Sequence, residues 1–289
     1  MRVADKWTDY ELLDASEGER LERWGDIILI RPDPQVIWRT EKTHPLWNAA
    51  HARYLRSNTG GGKWKPVPDV WRVSYGSLTF NLKPMGFKHT GLFPEQAVNW
   101  DMLSALIPRA AEEDGEALRV LNLFAYTGGA TAACLAAGAR VTHVDAAKGM
   151  VAWAKDNAAA SNLSSRPVRW LVDDCVKFVE REIRRGNIYE GVIMDPPSYG
   201  RGPGGEVWRL EDQIYPLAES CSRLLSDRAR FFIVSSYTAG LSPSVMGYIL
   251  SSLPSLRGRG RVSADEIGLP VAGGPPLPCG STAVWAIDN

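Results

Sequence analysis

What this 289-residue chain lacks narrows its class first. No apolar run approaches the roughly 18 residues that span a bilayer, and the N-terminus is polar and charged. Neither an anchor nor a signal peptide is expected. There is no charge excess, with 33 Lys and Arg against 33 Asp and Glu. Net charge therefore gives no case for a nucleic-acid protein, although a local basic face is still open. Cysteine is scarce. Cys134, Cys175, Cys221 and Cys279 lie far apart with no Cys-x-x-Cys, as in a reduced, cytoplasmic protein rather than a disulfide or zinc scaffold. His44, His51, His89 and His143 are equally scattered, so no metal site is expected.

What is present changes texture along the chain. Residues 1–84 are rich in Trp and Pro, with strand-like runs at Tyr10–Leu13, Asp26–Arg31, Val70–Tyr75 and Leu78–Leu82. Tyr75-Gly76-Ser77-Leu78 reads as a hairpin turn. Residues 45–56 are expected to form a short helix and residues 59–63 a loop, giving a small α+β domain. Residues 85–289 alternate strand and helix. Strands are expected at 118–124, 141–144, 168–172, 189–194 and 230–235, with helices at 97–107, 131–137, 146–161, 176–185, 211–225 and 245–253. Two closing strands, 260–267 and 281–287, have no helix between them. Alternation of this kind implies an α/β fold, a mostly parallel, doubly wound sheet with an antiparallel edge.

The chemistry gathers where those strands end. The first strand runs into Asn122-Leu123-Phe124-Ala125-Tyr126-Thr127-Gly128-Gly129, whose glycines permit positive φ and close approach of a ligand. The loop opens a helix whose amino end favours an anionic group. The second strand ends in Asp145, suitably spaced to take the hydroxyls of a ribose. The third ends in Asp173-Asp174, beside the place for an adenine. The fourth ends in Asp195-Pro196-Pro197-Ser198-Tyr199, where two prolines stop the strand and fix the turn. The first turn lacks the Gly-x-Gly-x-x-Gly that packs against a pyrophosphate, so a nucleoside without phosphates, S-adenosylmethionine, fits better than a dinucleotide.

These segments resemble the class I S-adenosylmethionine-dependent methyltransferases. Among them the likeness is to bacterial large-subunit ribosomal RNA base methyltransferases of the cytosine-C5 and guanine-N7 types. The motifs that carry it are Asn-Leu-Phe-Ala-Tyr-Thr-Gly (122–128), Val-Asp (144–145), Asp-Cys-Val-Lys-Phe (174–178), Asp-Pro-Pro-Ser-Tyr (195–199) and Lys-His-Thr-Gly-Leu-Phe-Pro-Glu-Gln (88–96). The resemblance implies a Rossmann-like, seven-stranded catalytic domain over 85–289 behind an accessory, substrate-recognition domain over 1–84. It implies a cofactor site at Gln96, Asn122, Phe124, Ala125, Tyr126, Thr127, Gly128, Asp145, Ala146, Asp174, Cys175 and Asp195. It implies an acceptor site at Asp195, Pro196, Pro197 and Tyr199, and RNA as the partner. The extra RNA-binding module of some relatives is not apparent.

Carbon-5 methylation requires a cysteine thiolate, which the family carries after the fifth strand. Here that loop reads Val234-Ser235-Ser236-Tyr237-Thr238. A nitrogen or oxygen acceptor needs no enzyme nucleophile, because its own lone pair attacks the methyl, and a nitrogen is the expectation. Methyl transfer to a small molecule or protein, and a non-catalytic binding module, are the alternatives. Arg201, Arg209, Arg257, Arg259 and Arg261 are candidates for phosphate contact, ahead of Arg181, Arg184 and Arg185 on one helix.

Overall fold

The computed structural model describes residues 1–57, 61–66, 69–201, 207–238 and 240–287. They divide into two compact units, Met1–Val98 with Ala159–Ser161 and Ile267–Cys279, and Asn99–Ala158 with Asn162–Glu266 and Gly280–Asn289. Composition suggests a single cut at 84/85, whereas contacts make both units discontinuous in sequence.

The first unit is almost wholly strand. A short β1 (Arg2–Val3) pairs in parallel with Ile267 and Gly268. β2 (Tyr10–Ser16), β3 (Glu19–Trp24) and β4 (Ile27–Pro32) form a meander, and β5 (Ala52–Arg56) and β6 (Gly62–Lys65) extend it in the order β2-β3-β4-β5-β6. β7 (Trp71–Tyr75) and β8 (Leu78–Leu82) form the expected hairpin, with Gly76 at φ 56 in its two-residue turn.

The helix expected over 45–56 is absent. Only Pro45–Trp47 turns, as a 3-10 segment in which His44 Nδ1 accepts the Leu46 N–H. Ala52–Arg56 is strand because Tyr54 and Trp64 face each other across β5 and β6, ring centroids 5.4 Å apart. Burial of two aromatics against a partner strand outweighs weak local helix propensity. Gly62 and Lys63, expected in a loop, belong to β6, while residues 59–60 lie outside the described residues.

The second unit alternates as expected. Its elements are α1 (Ala97–Asp114), β9 (Arg119–Leu123), α2 (Gly129–Ala136), β10 (Arg140–Asp145), α3 (Lys148–Ala160), β11 (Val168–Val172), α4 (Cys175–Arg185) and β12 (Gly191–Met194). A small hairpin, β13 (Tyr199–Arg201) with β14 (Val207–Arg209), precedes α5 (Leu210–Ser222), β15 (Phe231–Ser236), α6 (Pro243–Ser252), β16 (Arg261–Leu269) and β17 (Leu277–Ala286). The sheet has eight strands in the order β1-β16-β17-β15-β12-β9-β10-β11, the two-residue β1 being added at its edge to the seven expected. The central pairs are parallel and β17 runs antiparallel to β15.

β12 and β15 are buried along their whole length, which is why they read as continuous apolar runs rather than alternating ones. α2 is built of small residues and packs flat on the sheet. Gly138, at φ 96, follows it and lets the chain turn back into β10.

Candidate active site

Chain order and strand order part company at β9. β9, β10 and β11 step outward in one direction, and then the chain returns to place β12 on the other flank of β9. Ligands of open α/β sheets bind beyond the carboxyl ends of the strands at such a reversal. The register defines that edge. Met194, Leu123 and Val144 stand level, and Asp145 is level with Val172. The residues that follow on each strand therefore make a row: Asp195, Phe124, Asp145, Val172. At about 4.8 Å per strand the row is about 14 Å long. That suits an extended nucleoside with an amino-acid tail.

The loop after β9 is held in an unusual shape. Phe124, Tyr126 and Gly128 all have positive φ, at 52, 50 and 83 degrees. For Phe and Tyr the left-handed region costs roughly 1–2 kcal/mol each. The surroundings impose it. Asp145 Oδ2 accepts the Tyr126 N–H at 2.8 Å and its Oδ1 accepts the Ala147 N–H at 2.8 Å. Cys175 Sγ accepts the Phe124 N–H at 3.2 Å. Buried Asn157 donates from Nδ2 to the Thr127 carbonyl at 2.8 Å. Gly128 is pressed against α3, so that a Cβ there would lie 2.8 Å from Ala154 Cβ. Burial raises the Asp145 carboxyl above its ordinary range, opposed by the two backbone N–H groups it accepts. Val172, 51% exposed, gives the far end of the row an apolar surface.

The Asp195 turn is braced as well. Pro196 is buried and Pro197 exposed. Trp208 of β14 donates from Nε1 to the Pro197 carbonyl at 2.6 Å and packs on Phe124 with centroids 5.7 Å apart. Thr238 Oγ1 donates to Ser198 Oγ at 2.6 Å, tying the loop after β15 to the same turn. Tyr199 is 53% exposed. Together these contacts bring the Asp-Pro-Pro turn beside the Phe124 loop, 70 residues away in sequence.

The other expected residues fall into place unevenly. Phe124, Ala125, Tyr126, Thr127, Gly128, Asp145 and Ala146 surround the same turn. Asp174 caps α4, its Oδ1 accepting the Lys177 N–H at 2.9 Å, while Asp173 is ion-paired with Arg181. Gln96 belongs to the first unit, at the end of the 3-10 turn Pro94–Gln96. Asn122 is buried and its amide is taken up inside, donating to Thr131 Oγ1 at 2.9 Å, with His143 Nδ1 2.9 Å beyond. Its side chain braces β9 against α2. The Cys175 thiol is likewise turned inward, onto the Phe124 N–H.

Among the phosphate candidates, Arg259 is occupied by the carbonyls of Ser226 and Asp227. Arg209, Arg257 and Arg261 are exposed, and the Arg201 side chain lies outside the described residues. Two braces escaped the sequence reading, Asn157 and Trp208. No spacing rule links either to the loop it holds.

All four cysteines are buried and uncombined, and burial raises every one of their thiols. His143 is pushed down to about 3 by burial and is neutral. No helix among the described residues is long and apolar enough to cross a membrane.

A doubly wound sheet whose reversal point carries a glycine-bearing turn, a strand-end acid and a proline-locked acid is the architecture of the class I, Rossmann-like methyltransferases. Sequence comparison reaches the same place: the S-adenosylmethionine-dependent methyltransferase family profile matches residues 38–209, and the chain belongs to that family. S-adenosylmethionine is its cofactor. The SAM-dependent methyltransferase from Agrobacterium tumefaciens superposes with a TM-score of 0.90 at 34% identity, over 98% of this chain and 91% of that one. A Streptococcus mutans methyltransferase shares the fold, with a TM-score of 0.73 at 18% identity over 98% of this chain and 76% of that one.

Among curated proteins, ribosomal RNA large subunit methyltransferase K/L of Shewanella sp. (strain MR-4) is 31% identical over 144 residues. Its Shewanella oneidensis counterpart is 33% identical over 143 residues. The matched part is 49% of this chain and 18% of either relative.

Proposed function

We propose that this enzyme methylates a nitrogen of an RNA base, in ribosomal RNA, in the cytoplasm. The observation that carries the reading is a proline-locked Asp195 at the methyl end of the row, with no accessible thiolate among the four cysteines. Carbon 5 of a pyrimidine needs a covalent nucleophile and a nitrogen does not. The names of the curated relatives support RNA as the acceptor.

In this reading Asp145 accepts the ribose hydroxyls, the 124–128 turn holds the amino-acid portion, and Val172 and Asp174 flank the adenine. S-adenosylmethionine supplies an electrophilic methyl on a sulfonium. Asp195 and the Pro196 carbonyl accept hydrogen bonds from the acceptor's N–H groups and aim its lone pair along the methyl–sulfur axis, a positioning effect. Asp195 is placed to receive the proton that nitrogen releases. Tyr199, exposed beside the turn, stacks on the base, which must leave its helix to reach the edge.

The test is transfer of labelled methyl from S-adenosylmethionine into a lysate separated into RNA, protein and small-molecule fractions, with Asp195→Ala as control. Label in RNA that vanishes in the variant supports the reading. Label confined to protein or small molecules refutes the acceptor and leaves the cofactor site standing.

A further inference from the structure

Charge in the first unit is segregated along the chain. Residues 1–42 hold seven Lys and Arg against ten acids, whereas residues 43–94 hold seven against Asp69 alone. Four of those seven basic residues fall on one hairpin. In β5 and β6 the cross-strand pairs are Arg53 with Lys65, Tyr54 with Trp64, Leu55 with Lys63 and Arg56 with Gly62. Side chains alternate between faces, so Tyr54 and Trp64 point inward together while Arg53, Leu55, Lys63 and Lys65 share the other face. Leu55, Arg56, Lys63 and Lys65 are exposed, and the Arg53 side chain is 42% exposed.

Arg53 directly opposite Lys65 is a like-charged pair, which weakens a hairpin in isolation. The ion pair with Arg53 is a long one, to Glu19 at 3.8 Å, and Glu19 already holds Lys42 at 2.9 Å. Lysines on an edge strand such as β6 discourage edge-to-edge association. That does not account for Arg53 and Arg56, which stand on β5, one strand in.

An exposed aromatic follows a loop that is tied to the hairpin's other face. Tyr54 Oη donates to the Gly86 carbonyl at 2.9 Å and Trp64 Nε1 to the Met85 carbonyl at 3.0 Å. The loop is thus tied to the hairpin's inner aromatics, and the next residue, Phe87, is left 66% exposed. Lys88 follows. Its ammonium is lowered to about 8, first by burial, with Arg20, Arg31 and Arg56 adding to the effect and Asp33 opposing it.

We propose that the outer face of the β5–β6 hairpin, with Arg53, Lys63 and Lys65, is a binding surface for the phosphate backbone of RNA, with Arg56 at the end of β5 adding charge from the other side and Phe87, in the adjoining loop, stacking on an unpaired base. The proposal rests on the RNA reading of the active site and adds where the substrate is gripped. Basic side chains at strand spacing track a polyanion, and an exposed ring accepts any base.

The probe is a labelled fragment of large-subunit ribosomal RNA, its affinity followed by fluorescence anisotropy across a salt series. The variant is Arg53→Gln/Lys63→Gln/Lys65→Gln, with Phe87→Ala made separately. Loss of three phosphate contacts lowers the slope of log affinity against log salt by about 2 and weakens binding on the order of 30- to 100-fold near 0.1 M salt. Thermal melting and S-adenosylmethionine affinity stay at the wild-type values, which excludes misfolding. Unchanged slope and affinity in the triple variant overturn the surface, and RNA methylation at normal KM by that variant would do so while leaving the acceptor reading intact. RNA binding that the variant loses, in an enzyme that transfers no methyl to RNA, keeps the surface and removes the acceptor reading.

Discussion

Replacing Asp145 with Asn separates a ligand from a brace. The carboxylate accepts one backbone N–H on each oxygen, from Tyr126 and from Ala147. Asn keeps the shape but turns an NH2 toward one of those donors. Leaving a half-buried N–H without an acceptor costs roughly 1–2 kcal/mol. For a chain of this size that lowers the melting temperature by about 2–8 °C. If Asp145 also accepts the two ribose hydroxyls, the variant loses at least one charge-assisted hydrogen bond, worth about 1.5–3 kcal/mol. The cofactor's Kd then rises roughly 10- to 150-fold.

Titration calorimetry with S-adenosylmethionine and a thermal melt measure the two effects independently. The pH dependence adds a third reading. Burial raises the Asp145 carboxyl, so the wild type loses its acceptor as pH falls through that raised value, and cofactor affinity falls with it. The Asn variant has no such dependence. A lower melting temperature with Kd unchanged within about threefold, well under 1 kcal/mol, would refute the ribose assignment and leave Asp145 as a brace for the left-handed loop.

Gly128→Ala places a methyl 2.8 Å from Ala154 Cβ at φ 83, and should cost about 2–4 kcal/mol and weaken cofactor binding, read by denaturant unfolding and calorimetry; wild-type values for both would sink the close-approach argument. The four buried thiols should react with a disulfide reagent only as fast as the protein opens, so rapid labelling of native enzyme at mildly alkaline pH would reopen a covalent, carbon-directed mechanism. Glu22 is wholly buried in the first unit, bonded to Arg31 at 2.7 Å and to Tyr10 at 2.9 Å. Although desolvation opposes it, Arg20 and Arg31 lower the Glu22 carboxyl to about 2. A depressed acid gives stability that is present above its unfolded value of about 4.3 and lost as pH falls toward 2. Denaturant midpoints measured from neutral to acid pH should show that loss, and a Glu22→Gln protein whose acid profile matches the wild type would refute it.

Much of this enzyme was legible before folding was considered. Residues that stop strands do so locally. Prolines 196 and 197 cannot continue a ladder, Gly128 tolerates a left-handed φ, and apolar runs of four to six residues between amphipathic segments fit buried strands of a parallel sheet. Those are short-range constraints, and they place Gly128, Asp145, Asp174 and Asp195 at successive strand ends. The segment 45–56 shows where the same reasoning fails. Its helix-compatible residues become β5 because Tyr54 finds Trp64, a contact that exists only once β6 has folded alongside. Asn122 and Cys175 show that motif position does not fix where a side chain points, since packing turns both inward.

The sequence by itself determined the contents of the site: which acids, which glycine, which prolines, and the absence of a thiol in the fifth loop. Tertiary structure alone decided their order in space. Periodicity reports only neighbours a few residues apart, and strand order carries no local signature. Because the chain returns after α4 to lay β12 against β9, Asp195 stands next to Phe124 and one strand further from Asp145. That reversal, and the bonds from Asn157 and Trp208 that hold the turns around it, convert four separate strand ends into one row that a single cofactor can span.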